Sequence, residues 1–247
     1  MKLNKIEPKF IKKHNPRIGL ITLASDLRIE KDFNNIIFDK NIDLYCNRIK
    51  SYNPLTNETL KKMADDIPKV TENILPDQKL DCVAYACTSG TIAAGYSSIF
   101  QKVNLAKPNT KVTTPITAAI NALKSLKIKK LTIFTPYTDE INQSVINYFE
   151  KEKIELSELS YFDLASDLDI GKVDQDYLFE ALTKIDLSKS DALFVSCTAL
   201  PILSIIKDLE DKTNKIILSS NQTLIWDTLK QINFKNKVSG YGELFNN

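Results

Sequence analysis

The chain is poor in the residues that mark most cofactor and metal sites. It has one histidine, His14, and four cysteines without a C-x-x-C pair among its 247 residues. That count and spacing fit neither a zinc site nor a disulfide framework, so no metal is expected and the thiols are read as reduced. Only six glycines are present, with no G-x-G-x-x-G and no Walker loop, so no nucleotide cofactor is expected either. Charge of one sign is also missing. With 33 basic and 31 acidic side chains the net charge is +2, which draws the chain towards neither nucleic acid nor an anionic membrane. No apolar run approaches the ~18 residues of a membrane span. The opening M-K-L-N-K-I-E-P-K-F-I-K-K lacks the apolar centre of a signal peptide, and a cytoplasmic location is expected.

What is present is alternation. Strand-length apolar runs and helix-length amphipathic stretches follow one another, the pattern of a parallel α/β sheet. Strands are expected at 17–24, 41–50, 80–86, 111–115, 130–135, 154–162, 192–196 and 215–219. Helices are expected between them, including one capped by Thr56 or Thr59, one from about 90 to 103, one from Pro201 to Asp211 and one at 222–233. Ala24-Ser25-Asp26 matches Tyr137-Thr138-Asp139 at an offset of 113, and N-I-D-L at 41 matches K-I-E-L at 153. These offsets predict a duplicated α/β fold of two pseudo-symmetric lobes, each a parallel sheet flanked by helices. The expected first lobe is 1–115 plus about 216–247 and the second is 116–215. Substrate would bind in the cleft between them.

The chemistry-bearing residues cluster at strand ends. D-C-V-A-Y-A-C-T-S-G (81–90) and D-A-L-F-V-S-C-T-A-L (191–200) place Cys87 and Cys197 in matching Cys-Thr turns, 110 residues apart. In parallel α/β proteins, catalytic groups sit at the carboxyl ends of strands. A cysteine at a helix amino terminus feels the positive end of the helix dipole, which favours the thiolate. Thr88, Ser89 and Thr198 would supply hydroxyls to a substrate carboxylate. The alternative is that both cysteines are small buried residues, the reading given to Cys82 and Cys46. Ser25 and Asp26 end the first strand; Asp26 is either a base, a thiol-orienting group, an ammonium partner or a helix cap. Glu30 reads as a first-turn helix charge, with a place in the site as the alternative. Tyr137 offers a phenolic donor to a carboxylate or enolate oxygen. Ser219-Ser220-Asn221 either lines the cleft or caps a helix.

Taken together, the chain resembles the aspartate/glutamate racemase superfamily over about residues 17–245. The nearer match is its branch of maleate cis–trans isomerases, arylmalonate decarboxylases and ectoine-utilisation racemase-like proteins. The carriers are I-G-L-I-T-L-A-S-D, N-P-L-T, D-C-V-A-Y-A-C-T-S-G-T, F-T-P-Y, F-V-S-C-T-A-L-P, S-S-N-Q and G-Y-G-E-L-F. The resemblance implies an isomerase without cofactor or metal, in which Cys87 and Cys197 are the paired catalytic cysteines. In the racemases one thiolate removes the α-proton and the opposite thiol returns one; in maleate isomerases a cysteine adds to the double bond. Arylmalonate decarboxylases keep only the second-lobe cysteine, so Cys87 speaks against that activity. Tyr137, Thr88, Ser89 and Thr198 match positions that contact substrate carboxylates or the oxyanion, and Asp167 falls where maleate isomerases carry a substrate-binding asparagine. Those isomerases also have an asparagine in place of Asp26, whose charge would repel a diacid. The histidine of glutamate racemases two residues beyond the second cysteine is here Ala199. The expectation is a racemase of a small amino-acid-like carboxylate, with a homodimer as the expected assembly and with maleate-type isomerisation, decarboxylation or metabolite binding without turnover as rivals.

Overall fold

The computed structural model describes residues 1–246. Its first half runs β1 (Arg17–Leu23), α1 (Ile29–Ile37), β2 (Asp43–Ile49), α2 (Asn57–Met63), α3 (Ile67–Glu72), β3 (Cys82–Ala86), α4 (Thr88–Ala94), α5 (Tyr96–Ala106) and β4 (Lys111–Thr113). After α6 (Pro115–Ser125) the order repeats: β5 (Lys130–Thr135), α7 (Asp139–Lys151), β6 (Glu155–Tyr161), α8 (Asp167–Gly171), α9 (Gln175–Thr183), β7 (Ala192–Val195), α10 (Ile206–Thr213), β8 (Ile216–Ser219) and α11 (Ser220–Gln231). The two sheets are fully parallel, with strand orders β2-β1-β3-β4 and β6-β5-β7-β8. The identical order in the two halves is the duplication that the offsets predicted.

Burial explains which strand lies where. β1, β3, β5 and β7 are almost wholly buried central strands with continuous apolar runs. The edge strands β2 and β6 are only partly buried and carry polar residues. Cys46, read from the sequence as core, is exposed on edge strand β2, whereas Cys82 on central β3 is fully buried. The helices pack amphipathic faces on the sheets: α1 turns Ile29, Phe33, Ile36 and Ile37 inward. Thr56 and Thr59 together form a reciprocal capping box at α2, so both sequence candidates take part.

Three sequence expectations are corrected. The chain from about 216 does not return whole to the first lobe. β8 pairs with β7 at the edge of the second sheet, the place that β4 holds in the first, and α11 packs back against β3 and β4. The helix expected from 90 to 103 is two helices, broken at Gly95, whose φ of 80° no helix accommodates. The helix expected to start at Pro201 starts at Ile206, after a single 3-10 turn, so Pro201 belongs to the preceding loop.

Among the described residues no helix is long and apolar enough to cross a membrane. α11 is the most enclosed helix, buried from Ser220 to Leu229. It begins with Ser219 and Gln222 in a capping box, and its first turn lies between the two lobes' strand ends.

Candidate active site

The carboxyl ends of β1, β3, β5 and β7 face one another across the lobe boundary. From β3 the chain enters α4 with Cys87 as its N-cap, and the Sγ accepts the Gly90 N–H at 3.2 Å. Ser89 Oγ lies 4.0 Å from the same sulfur. Cys197 follows β7 but caps no helix. It sits in a turn with φ of 113°, a conformation that L residues adopt at a cost of about 1–3 kcal/mol and that concentrates at functional sites. The two Cys-Thr turns are therefore matched in sequence and position but not in backbone.

Polar cross-braces hold the turns together. Ser220 Oγ accepts the Cys197 N–H at 3.0 Å and lies 2.8 Å from Thr88 Oγ1, so one hydroxyl joins the two cysteine turns. The Thr198 hydroxyl reaches back to the Ala86 carbonyl at 3.4 Å. Asn221 Nδ2 donates to the Thr198 carbonyl at 2.9 Å and to Asp32 Oδ2 at 2.7 Å. Ser219 is thus the cap of the S-S-N motif, while Ser220 and Asn221 brace the site. Tyr137, at the end of β5 and 2 % exposed, stands beside Cys197 and within electrostatic reach of Cys87.

Two carboxylates close the site from the sides. Asp26 ends the β1 turn, and its Oδ1 accepts the N–H groups of Arg28 at 2.7 Å and Ile29 at 2.9 Å, capping the start of α1. Its Oδ2 is buried without a hydrogen-bond partner. Asp167 opens α8 in the second lobe and accepts the Ser25 hydroxyl at 2.6 Å. Neither forms an ion pair among the described residues, where the seven pairs are all between other groups. Every site residue expected from the sequence is therefore found in this region: Ser25, Asp26, Cys87, Thr88, Ser89, Tyr137, Asp167, Cys197 and Thr198.

Glu30 is not at the centre. It pairs with Arg48 of β2, at 3.0–3.1 Å, and Arg48 also donates to the carbonyls of Ala24 at 3.1 Å and Asp26 at 3.0 Å. Arg48 thereby pins the turn carrying Ser25 and Asp26. Sequence reasoning missed it because nothing in D-L-Y-C-N-R-I marks one basic residue of an edge strand as reaching a neighbouring turn.

The electrostatics reverse one expectation. Both thiols are only 4 % exposed. Burial pushes the Cys87 thiol up to about 12, against the lowering by Gly90 N–H, and the Asp167 and Asp26 charges push it the same way. Cys197 is raised well above the ordinary thiol range by burial and by Asp167. The helix terminus at Cys87 does not offset desolvation, so both thiols are neutral in this state. Asp26 is pushed up to about 6 by burial, with Asp167 adding to the rise, and Asp167 is itself raised by burial. Among the described residues no group of three or more His, Cys, Asp or Glu is arranged to hold a metal ion.

A family model described as arylmalonate decarboxylase matches residues 55–245. A maleate isomerase of Geobacillus stearothermophilus is 26 % identical over 243 residues, covering 92 % of this chain and 96 % of that one. The crystal structure of a maleate isomerase from Pseudomonas putida S16 superposes with a TM-score of 0.85 at 21 % identity, covering 93 % of this chain and 98 % of that one. A Nocardia farcinica maleate cis–trans isomerase, a cysteine-to-serine mutant with a covalently bound succinylcysteine intermediate, gives the same TM-score at 20 % identity, with coverage of 93 % and 98 %.

Proposed function

From the premise that the chain belongs to the arylmalonate decarboxylase family, we propose that it is a racemase of a small amino-acid-like carboxylate, with Cys87 and Cys197 as opposed base and acid. The chain is an isomerase-class enzyme, as its maleate isomerase relatives are. The observation that carries the finer reading is the pair Asp26 and Asp167, two carboxylates beside two thiols with no cation paired to either. Such a site favours a substrate that brings positive charge. An α-ammonium between Asp26 Oδ2 and Asp167 gives a buried open acceptor a partner and offsets the carboxylate charges that add to burial in raising the thiols.

The chemistry then follows. As substrate binds, one thiol gives up its proton to solvent; the thiolate so formed removes the α-proton and becomes a thiol again. The enolate-like carboxylate is met by Tyr137 and by the hydroxyl-rich turns of Thr88, Ser89 and Thr198. The opposite thiol delivers its proton to the other face and becomes the thiolate, so the proton count of the site is unchanged over a turnover. The thiols are almost fully covered, so what covers them must open to admit substrate, and the closed site excludes water from the enolate. The four free cysteines suit a reducing compartment, the cytoplasm in this reading.

The retained pair of cysteines weighs against decarboxylation, which uses one. Maleate-type isomerisation is the second reading, favoured by relatives that match 92 % of the chain. It requires two substrate carboxylates to enter beside Asp26 and Asp167, which is favourable only when those groups are protonated.

The test is α-proton exchange in deuterium oxide across a panel of amino acids. Wild type should wash deuterium into the α-position of one member, and Cys87→Ser and Cys197→Ser should each abolish racemisation. Exchange with full racemisation in both variants would sink the two-base mechanism. A diacid adduct on a cysteine by intact mass, without exchange on any amino acid, would establish the second reading.

A further inference from the structure

Tyr85 lies on β3 two residues before Cys87, so the strand's pleat sends both side chains to one face of the sheet. Its side chain is fully buried, yet its hydroxyl has no hydrogen-bond partner. A Cβ built on Gly90 would come within 2.7 Å of Cys87 Sγ and 3.0 Å of the Tyr85 hydroxyl. Sulfur and phenol thus border the same small space, the one left open by a glycine in the first turn of α4.

An orphan buried hydroxyl costs about 1–3 kcal/mol, and phenylalanine would fill the same volume without that cost. The hydroxyl gains only when an acceptor appears beside it. A thiol is a weak acceptor; a thiolate accepts short, strong hydrogen bonds. The Gly90 N–H at 3.2 Å and the Ser89 hydroxyl at 4.0 Å already face the sulfur, and the phenol would add a further donor from the Tyr85 side. On the other side of the site Tyr137, which comes from the end of β5 and not from the cysteine's own strand, already hydrogen-bonds Cys197.

We propose that Tyr85 is a positioning residue for Cys87, its O–H donating to the sulfur when Cys87 becomes a thiolate. Each thiol then has its own phenol. Tyr85 keeps its proton throughout: burial and the neighbouring sulfur raise its phenol well above the ordinary range, so it serves as a donor and not as a base. The inference rests on Cys87 being a reacting thiol.

The test is the pH dependence of alkylation at Cys87, read by peptide mapping with Cys197 as the internal control. In Tyr85→Phe the Cys87 rate near neutral pH should fall about tenfold and its midpoint rise by about one pH unit, the size expected for one hydrogen bond to a charged group. The Cys197 profile should stay put. Replacing Tyr85 with 3-fluorotyrosine keeps the shape and strengthens the donor, and should lower the Cys87 midpoint. A Cys87 profile unchanged in Tyr85→Phe, or the two cysteines moving together, would overturn the proposal. If Tyr85→Phe fails to fold, an unmoved midpoint in the fluorotyrosine protein overturns it alone. Failure of the racemase reading shows separately, as absence of α-exchange in wild type while the Cys87 profile still responds to position 85.

Discussion

Ser25 donates its hydroxyl to Asp167 Oδ2 at 2.6 Å, a bond between residues 142 positions apart that ties the β1 turn of one lobe to the first turn of α8 in the other. It places one of the two unpaired carboxylates at a fixed position in the cleft. Ser51 Oγ, 2.9 Å from the same hydroxyl, holds Ser25 in place.

Ser25→Ala should therefore weaken substrate binding more than it slows chemistry. Losing one hydrogen bond to a charged, part-buried group is worth about 1.5 kcal/mol or somewhat more, or roughly tenfold in KM. Steady-state kinetics on the active substrate, with kcat reduced by less than KM is raised, is the expected result. A loss confined to kcat would place Ser25 in the chemistry instead.

Asp26 makes stability depend on pH in a direction opposite to an ordinary surface carboxylate. Its carboxyl is pushed up from 3.8 to about 6 in the fold, mainly by burial. The folded state binds that proton more tightly, so stability falls as pH rises through the window from about 4 to 6 and stays lower above it. Asp26→Asn keeps an Oδ1 acceptor for the Arg28 and Ile29 N–H groups and removes the buried charge. Its melting temperature should equal that of wild type near pH 4 and exceed it near pH 8, by an amount corresponding to about 1–3 kcal/mol. Asp32, also pushed up to about 6, leaves part of the slope in the variant.

Much of this site was legible in the sequence because it is built from strand ends. Alternation placed the strands, the offsets paired the lobes, and the residues after β1, β3, β5 and β7 named Asp26, Cys87, Tyr137 and Cys197. Three-dimensional relations were not legible. Whether Asp26 caps or reacts had no answer in one dimension, and the structure separates its two oxygens: Oδ1 accepts the Arg28 and Ile29 N–H groups at the entry to α1, while Oδ2 is buried without a hydrogen bond. The shared Cys-Thr pair at 87–88 and 197–198 concealed a helix N-cap in one case and a positive-φ turn in the other. Burial, which sets the thiol state, depends on how α11 fills the space between lobes and leaves no local pattern. Arg48 and Tyr85 act across strands or turns, where periodicity carries no information.

Substrate choice should follow charge at two positions. A diacid is disfavoured while Asp26 and Asp167 are ionised and favoured when both are neutral donors. Asp26→Asn/Asp167→Asn should lose binding of an ammonium-bearing substrate and gain binding of maleate, with the switch largest above pH 6, where wild-type Asp26 is charged. Thermal shift with maleate and with the amino acid found by α-exchange measures both arms. An unchanged preference for the amino acid in the double variant would remove these carboxylates from substrate recognition.

Gly90→Ala should separate folding from activity. The position is helical, with no positive φ, and alanine gains about 1 kcal/mol of helix propensity over glycine. The new methyl would nonetheless lie 2.7 Å from Cys87 Sγ and 3.0 Å from both Met63 Cε and the Tyr85 hydroxyl. Met63 is flexible and can yield; the sulfur yields by rotating off the Gly90 N–H, which removes the one backbone donor aimed at it. Melting within a few degrees of wild type, with turnover reduced by about a hundredfold, is the result expected of a misplaced reacting atom. Gly95→Ala provides the contrast. There nothing lies within 4 Å, but φ is 80°, so the cost falls on the backbone. That variant should lose about 1 kcal/mol or more of stability and keep its turnover. Equal loss of activity in the two variants would mean that α4 as a whole, and not the packing of Gly90 against Cys87, governs the site.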